Sequence, residues 1–248
     1  MRLSTGFKLP FGGIIRSAFC VIVLAMAGQA PAAETQPAAA KIRIVLAGDS
    51  TVTGNGGWGT GFTKLLGPEA ECINLARGGR STKSFRDIGE WQKVLDQKPD
   101  YILIQFGHND MPGKGPERET DPATTYRDNL IRFVDEARAI GAKPILVTSM
   151  TRRHFKDGKI NSDLIPYVEA VKKVAAEKKL PLIDLHTRSI ELFEKLGEKG
   201  CEELSPTDPK TGKVDKTHLN AKGGEAVGKL VAAEVKKTIP ALAGSFKP

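Results

Sequence analysis

The chain has 248 residues, 40% of them hydrophobic and 27% charged, with a formal net charge of +8. That length suits one full-sized core, and the composition is that of an ordinary globular protein. The positive surplus comes without a basic run or an RNA-binding signature, which excludes a nucleic-acid partner.

In chain order, Arg2, Lys8 and Arg16 precede an apolar run at 18–27, and small residues follow through Ala33. This reads as a secretory signal peptide over 1–32, with Ala30-Pro31-Ala32 as an A-x-A-like cleavage site. The run is short for a bilayer span, so no stable membrane insertion is expected after cleavage, and the protein is expected to be secreted or periplasmic. Cleavage removes three positive charges and no negative ones, taking the net charge from +8 to +5. Residues 33–40 read as a disordered lead-in to a domain at 41–248. Cys72 and Cys201 remain after cleavage; one pair makes no disulfide scaffold, and whether they bond is left open.

Strands are expected at 42–47, 72–75, 101–105, 144–148 and 182–184, alternating with helices. The helices fall at 59–66, 85–95, 124–140, 165–179, 189–196 and 221–235. Phe85, Ile88, Trp91, Val94 and Leu95 share a face of the second helix; Leu130, Ile131, Phe133, Val134 and Ala137 form the stripe of the third. Such alternation implies a doubly wound α/β domain with parallel pairing and helices on both faces of the sheet. Right-handed crossovers gather the C-terminal strand ends on one edge, where open α/β sheets bind ligands.

That edge collects four segments. The first strand, in "IVLAGDSTV", ends in Gly48-Asp49-Ser50; the second runs into Arg77-Gly78-Gly79-Arg80-Ser81. The third runs into Gly107-His108-Asn109-Asp110, and Asp215-Lys216-Thr217-His218 precedes the last helix. Acyl transfer needs a hydroxyl, a base, a carboxylate to orient the base, and donors for the oxyanion. Ser50, His218 and Asp215 can fill the first three roles. The N–H groups of Ser50 and Gly79 and the amide of Asn109 can supply the donors. Gly78 competes with Gly79, and the order of residues favours Gly79.

These blocks resemble the SGNH (GDSL-type) hydrolases: Gly48-Asp49-Ser50 matches the first block, the glycine of "NLARGGRS" the second, "GHND" the third and "DKTH" the fourth. The wording within them is similar to the rhamnogalacturonan acetylesterase branch. The resemblance implies a three-layer α/β/α sandwich with a flavodoxin-like, five-stranded parallel sheet. It also implies removal of acetyl groups from an acetylated cell-wall carbohydrate, without metal or other cofactor. Loops 111–122 and 150–163 are where substrate choice would be made.

Each residue has a plainer reading. Ser50 alone could cap a helix. Asp49 reads as a turn carboxylate, His108 as loop structure with substrate contact as the lesser alternative, His186 as a satisfied loop histidine and His154 as solvated. Four scattered histidines lack metal-ligand spacing. Gly54 to Gly59 matches G-x-G-x-x-G, but the acidic partner of a dinucleotide site is missing. No G-x-S-x-G surrounds Ser50. Trp58 either stacks on a sugar or covers the first helix, whereas Trp91 is core. Arg80, Lys83, Arg152, Arg153 and Lys156 form a solvated rim or face a polyanionic substrate. Two rival functions remain: a lysophospholipase- or thioesterase-like hydrolase, and an inactive carbohydrate-binding protein.

Overall fold

A computed structural model describes residues 40–248; the signal peptide expected at 1–32 and the expected lead-in through residue 39 lie outside the described residues. Four strands come first: β1 (Ile42–Gly48), β2 (Ala70–Asn74), β3 (Tyr101–Gln105) and β4 (Lys143–Val147). A two-stranded hairpin, β5 (Phe155–Lys156) and β6 (Lys159–Ile160), stands apart, and β7 (Leu182–Ile183) completes a five-stranded sheet. Its order is β2-β1-β3-β4-β7, and every pairing is parallel. The helices are α1 (Gly59–Thr63), α2 (Thr82–Asp87), α3 (Glu90–Asp96), α4 (Thr125–Ala139), α5 (Ile165–Glu177), α6 (Leu185–Glu202), α7 (Ala221–Thr238) and α8 (Pro240–Ala243).

The period-two alternation of strand side chains divides the core. Ile44, Leu46, Leu103, Ile145 and Val147 point to one face, under α1, α6, α7 and α8. Val45, Ala47, Ile102, Ile104 and Leu146 point to the other, under α2 to α5. A one-residue slip of β1 would exchange its two buried sets, so its register is firmly set. This is the expected three-layer sandwich. Strand order reverses at β1, which puts the ligand-binding crevice at the ends of β1 and β3.

Several boundaries differ from the sequence expectation. The helix expected at 85–95 is two helices. Ser81 and Ser84 cap each other's backbone N–H, starting α2 at Thr82. Gly89, at φ +78°, ends that segment and turns the chain into α3. Ile88 therefore leaves the apolar face and is 48% exposed. The helix expected at 189–196 spans Leu185–Glu202 instead, opened by Asp184 accepting from Thr187 N and interrupted at Gly197. The hairpin and α8 were not anticipated; two-residue strands and a four-residue helix leave too little pattern. Cys72 and Cys201 are both free thiols. Burial pushes the Cys72 thiol up to about 11, so neither thiolate reactivity nor pairing marks it.

Candidate active site

Ser50 stands two residues past the end of β1. The turn is tight enough that a Cβ on Gly48 would lie 2.5 Å from Val52 Cγ2 and 2.6 Å from the Gln105 carbonyl oxygen. Asp49 Oδ1 accepts from Thr51 N at 2.9 Å and from Thr51 Oγ1 at 2.7 Å, the turn-bonding role expected of it. Gln105 Nε2 then donates to Thr51 Oγ1 at 2.7 Å, and Trp58 Nε1 donates to Gln105 Oε1 at 2.9 Å. All four side chains are buried. One correction and one excluded alternative follow. Trp58 has no exposed surface and cannot stack on a sugar. Ser50 caps no helix, since α1 begins only at Gly59 with Trp58 before it.

His218 arrives from the loop before α7. Its Nε2 lies 2.8 Å from Ser50 Oγ, and its Nδ1 lies 2.7 Å from Asp215 Oδ2. Asp215 Oδ1 accepts from the backbone N–H groups of Thr217 at 2.7 Å and His218 at 2.9 Å. Partial burial works to raise the Asp215 pKa, but the His218 backbone N–H, the His218 ring and the Thr217 N–H together hold it below the usual value. The carboxylate is thus kept ionised and aimed at the ring nitrogen away from Ser50.

The loop is anchored at several points. Leu219 N donates to Gly56 O at 2.8 Å, Asp215 N to Pro206 O at 2.8 Å, and Asn220 caps α7 through Gly223 N at 2.9 Å. The central anchor is Arg153, whose clamping of this loop the sequence did not show. It is 2% exposed, not part of a solvated rim. Its Nη2 donates to the carbonyls of Asp215, at 2.9 Å, and of His218; its Nε donates to Ser205 Oγ at 2.9 Å. Burial lowers its pKa to about 10, leaving it cationic at neutral pH. Its neighbour Arg152 is also buried, at 7% exposure.

On the opposite side, Asn109 follows β3 and its Nδ2 donates to Arg80 O at 3.1 Å. One amide hydrogen is thereby fixed, and the second is free. The backbone N–H groups of Ser50, Gly78 and Gly79 have no partner among the described residues. Asp110 braces this corner: Oδ1 accepts from Thr82 N at 3.0 Å, from Thr82 Oγ1 and from Thr120 Oγ1 at 2.9 Å. Burial pushes the Asp110 pKa up to about 7, and nearby Asp49 adds to the rise. Asp49 itself is held low: its complete burial opposes ionisation, but His108 and Thr51 outweigh it.

A cleft of about 380 Å³ joins these groups. Ser50, Gly79, His108, Asn109, Arg152 and His218 line it, with Gly78, Lys114 and Thr217. No aliphatic or aromatic hydrocarbon side chain belongs to the lining. Arg80 does not line the cleft and contributes only its carbonyl to Asn109; Lys83 Nζ instead donates to Pro116 O at 2.7 Å. Lys156 and His154 are exposed. His186 is buried in the first turn of α6, rather than in a loop, with Nδ1 2.9 Å from Ser149 O. Among the described residues, no group of three or more His, Cys, Asp or Glu could hold a metal ion. The glycine-rich segment 54–59 borders His218 and seats its loop through Gly56 O.

A hydroxyl, an imidazole and a carboxylate in hydrogen-bonded sequence beside a ring of free donors are what acyl transfer requires. Residues 46–226 match the model of the GDSL-like lipase/acylhydrolase family. The chain belongs to that family. It is a carboxylic ester hydrolase. Over 202 residues it is 39% identical to the probable rhamnogalacturonan acetylesterase YesY of Bacillus subtilis, covering 78% of this chain and 92% of that protein. Identity to the rhamnogalacturonan acetylesterase RhgT of the same organism is 37%, covering 79% of this chain and 90% of that one. The solved YxiM protein of Bacillus subtilis has a TM-score of 0.69 and 26% identity over 82% of this chain, which spans 58% of that protein's chain.

Proposed function

We propose that the chain is an acetylesterase that removes acetyl groups from an acidic plant polysaccharide of the rhamnogalacturonan type, with Ser50 as nucleophile. The observation that carries this reading is the unbroken series from Asp215 Oδ2 through His218 to Ser50 Oγ, at 2.7 and 2.8 Å. His218 Nε2 takes the Ser50 proton as Oγ bonds to the acetyl carbonyl carbon, and Asp215 stabilises the imidazolium. The oxyanion is held by the N–H groups of Ser50 and Gly79 and the free amide hydrogen of Asn109. Collapse breaks the ester bond, and His218 returns the proton to the departing sugar oxygen, which leaves as a hydroxyl and leaves acetyl-Ser50 behind. Water, deprotonated by His218, then releases acetate and restores the serine.

Substrate class is supported by the names of the two relatives and by a cleft lining that contains no aliphatic or aromatic hydrocarbon side chain. A polysaccharide is too large to cross a membrane, so this substrate fits export by the signal peptide and a periplasmic or secreted enzyme. Among the described residues no helix is long and apolar enough to cross a membrane.

The test is acetate release from acetylated rhamnogalacturonan and acetylated xylan, run beside aryl acetate and aryl octanoate. Acetate should come fastest from the acidic polymer, and aryl acetate should be cleaved faster than octanoate. A preference for octanoate would move the enzyme to the lysophospholipase or thioesterase class. Binding of the polymer without any ester cleavage would make it a carbohydrate-binding protein.

A further inference from the structure

We infer that a second cavity, apart from the cleft beside Ser50, takes a neutral sugar linked to the acetylated one. The inference rests on the acetylesterase reading and deepens it. The cavity measures about 530 Å³, against about 380 Å³ for the cleft, and lies within the ordinary range for a small-ligand site. It opens between the C-terminal end of α6 and the segment from Lys213 to Thr217. Neither Ser50 nor His218 lines it, whereas Thr217 lines both spaces. The two are thus neighbours across one residue, and a chain of linked sugars that presents its acetyl group to Ser50 can set the adjoining ring in the second cavity.

The chemistry of the lining selects the ligand. With histidine neutral, its charges balance: Arg153, Lys213 and Lys216 stand against Glu198, Glu202 and Asp215. A ligand with a net charge gains on one set what it loses on the other. Lys216 is already paired with Glu198 at 2.9 Å, and Asp215 is committed to His218. The carboxylate of Glu202 and the ammonium of Lys213 remain, both exposed and both without a side-chain hydrogen bond or ion pair among the described residues. A third polar group is Nη1 of Arg153, which is buried and has no hydrogen-bond partner among the described residues. Val214 and Cys201 add apolar surface to the same lining. The hydroxyls of a neutral sugar can donate to the Glu202 carboxylate and accept from the two cations, while its C–H face covers the apolar pair. A carboxylate on that ring would instead meet Glu202 as a like charge.

The experiment uses one acetylated galacturonate ring in three settings: as its methyl glycoside, linked to a rhamnose, and linked to a second galacturonate, each disaccharide in both linkage orders. In one order the wild type should deacetylate the rhamnose compound with a kcat/KM about tenfold above that of the methyl glycoside. The digalacturonate should show no such gain. Glu202→Ala and Lys213→Ala should each reduce the rhamnose gain about three- to tenfold while slowing aryl acetate far less. Glu202→Lys makes the lining net positive and should transfer the preference to the digalacturonate, a switch that a merely structural role for Glu202 would not produce. Both positions are exposed, so the variants should fold. Equal turnover of all three settings, a larger gain from the acidic neighbour in the wild type, or an unchanged preference in Glu202→Lys would overturn the subsite and leave the acetylesterase reading standing. So would alanine variants that lose the same factor on aryl acetate as on the rhamnose compound. Failure to release acetate from any of the sugar esters would overturn both readings.

Discussion

The two halves of the active site are built in different ways. Ser50 sits on a turn locked to the sheet by a buried series of side chains, Asp49, Thr51, Gln105 and Trp58, none of which meets solvent. His218 and Asp215 have side chains 38% and 39% exposed on a loop that belongs to no strand. The proposed nucleophile inherits its position from the sheet edge. The proposed base and its carboxylate are held by backbone anchors, and chiefly by one buried guanidinium spanning the carbonyls of Asp215 and His218. A site with one rigid side and one clamped side should respond differently when each is disturbed.

Removing the nucleophile has the largest effect. Ser50→Ala should lower kcat on aryl acetate by about 10⁴-fold or more with an unchanged circular dichroism spectrum; retention of activity would mean that another group attacks. Next is the oxyanion side. Asn109→Ala should cost about 10²–10³ in kcat and change KM little, because its free amide hydrogen is used in the transition state. A loss confined to KM would place Asn109 in ground-state binding instead.

The clamp comes third and bears most directly on the contrast. Arg153→Met should reduce kcat by about 10²-fold through misalignment of His218, with a smaller change in KM. Arg153→Lys should recover part of the loss, because an ammonium can still donate to one of the two carbonyls. If Arg153→Met lowered only thermal stability and left kcat intact, the histidine loop would be held by its other anchors. The smallest effect concerns Asp110, whose pKa is pushed up to about 7 by burial. The folded protein keeps a proton that the unfolded chain releases, so this group's stabilisation is complete below about pH 4 and is lost as pH rises to about 7. Urea unfolding across that range should give a steeper decline for the wild type than for Asp110→Asn. Parallel profiles would contradict the raised pKa.

The same contrast explains what could be read from sequence. The strands were legible because Ile44 to Ala47 and Tyr101 to Ile104 are unbroken apolar runs suited to a sheet buried on both faces. Ser50, Asn109 and His218 could be named because strand-end positions and block order require no knowledge of side-chain direction. Direction was what remained hidden. "TRRH" offers two adjacent arginines with no mark to say that Arg153 turns inward to the histidine loop while Arg152 reaches the cleft. Trp58 looked equally able to face a sugar or the core, and only its partner Gln105, 47 residues away, decides for the core. The division of 85–95 at Gly89 was masked by apolar residues whose spacing suits one continuous helix.

The most direct test of the central claim is to label the enzyme with a serine-directed phosphonate and locate the adduct by peptide mass spectrometry. A single adduct on Ser50, formed more slowly when His218 is replaced by alanine and absent from Ser50→Ala, is the predicted result. An adduct on a different residue, or undiminished labelling of Ser50→Ala, would contradict the account.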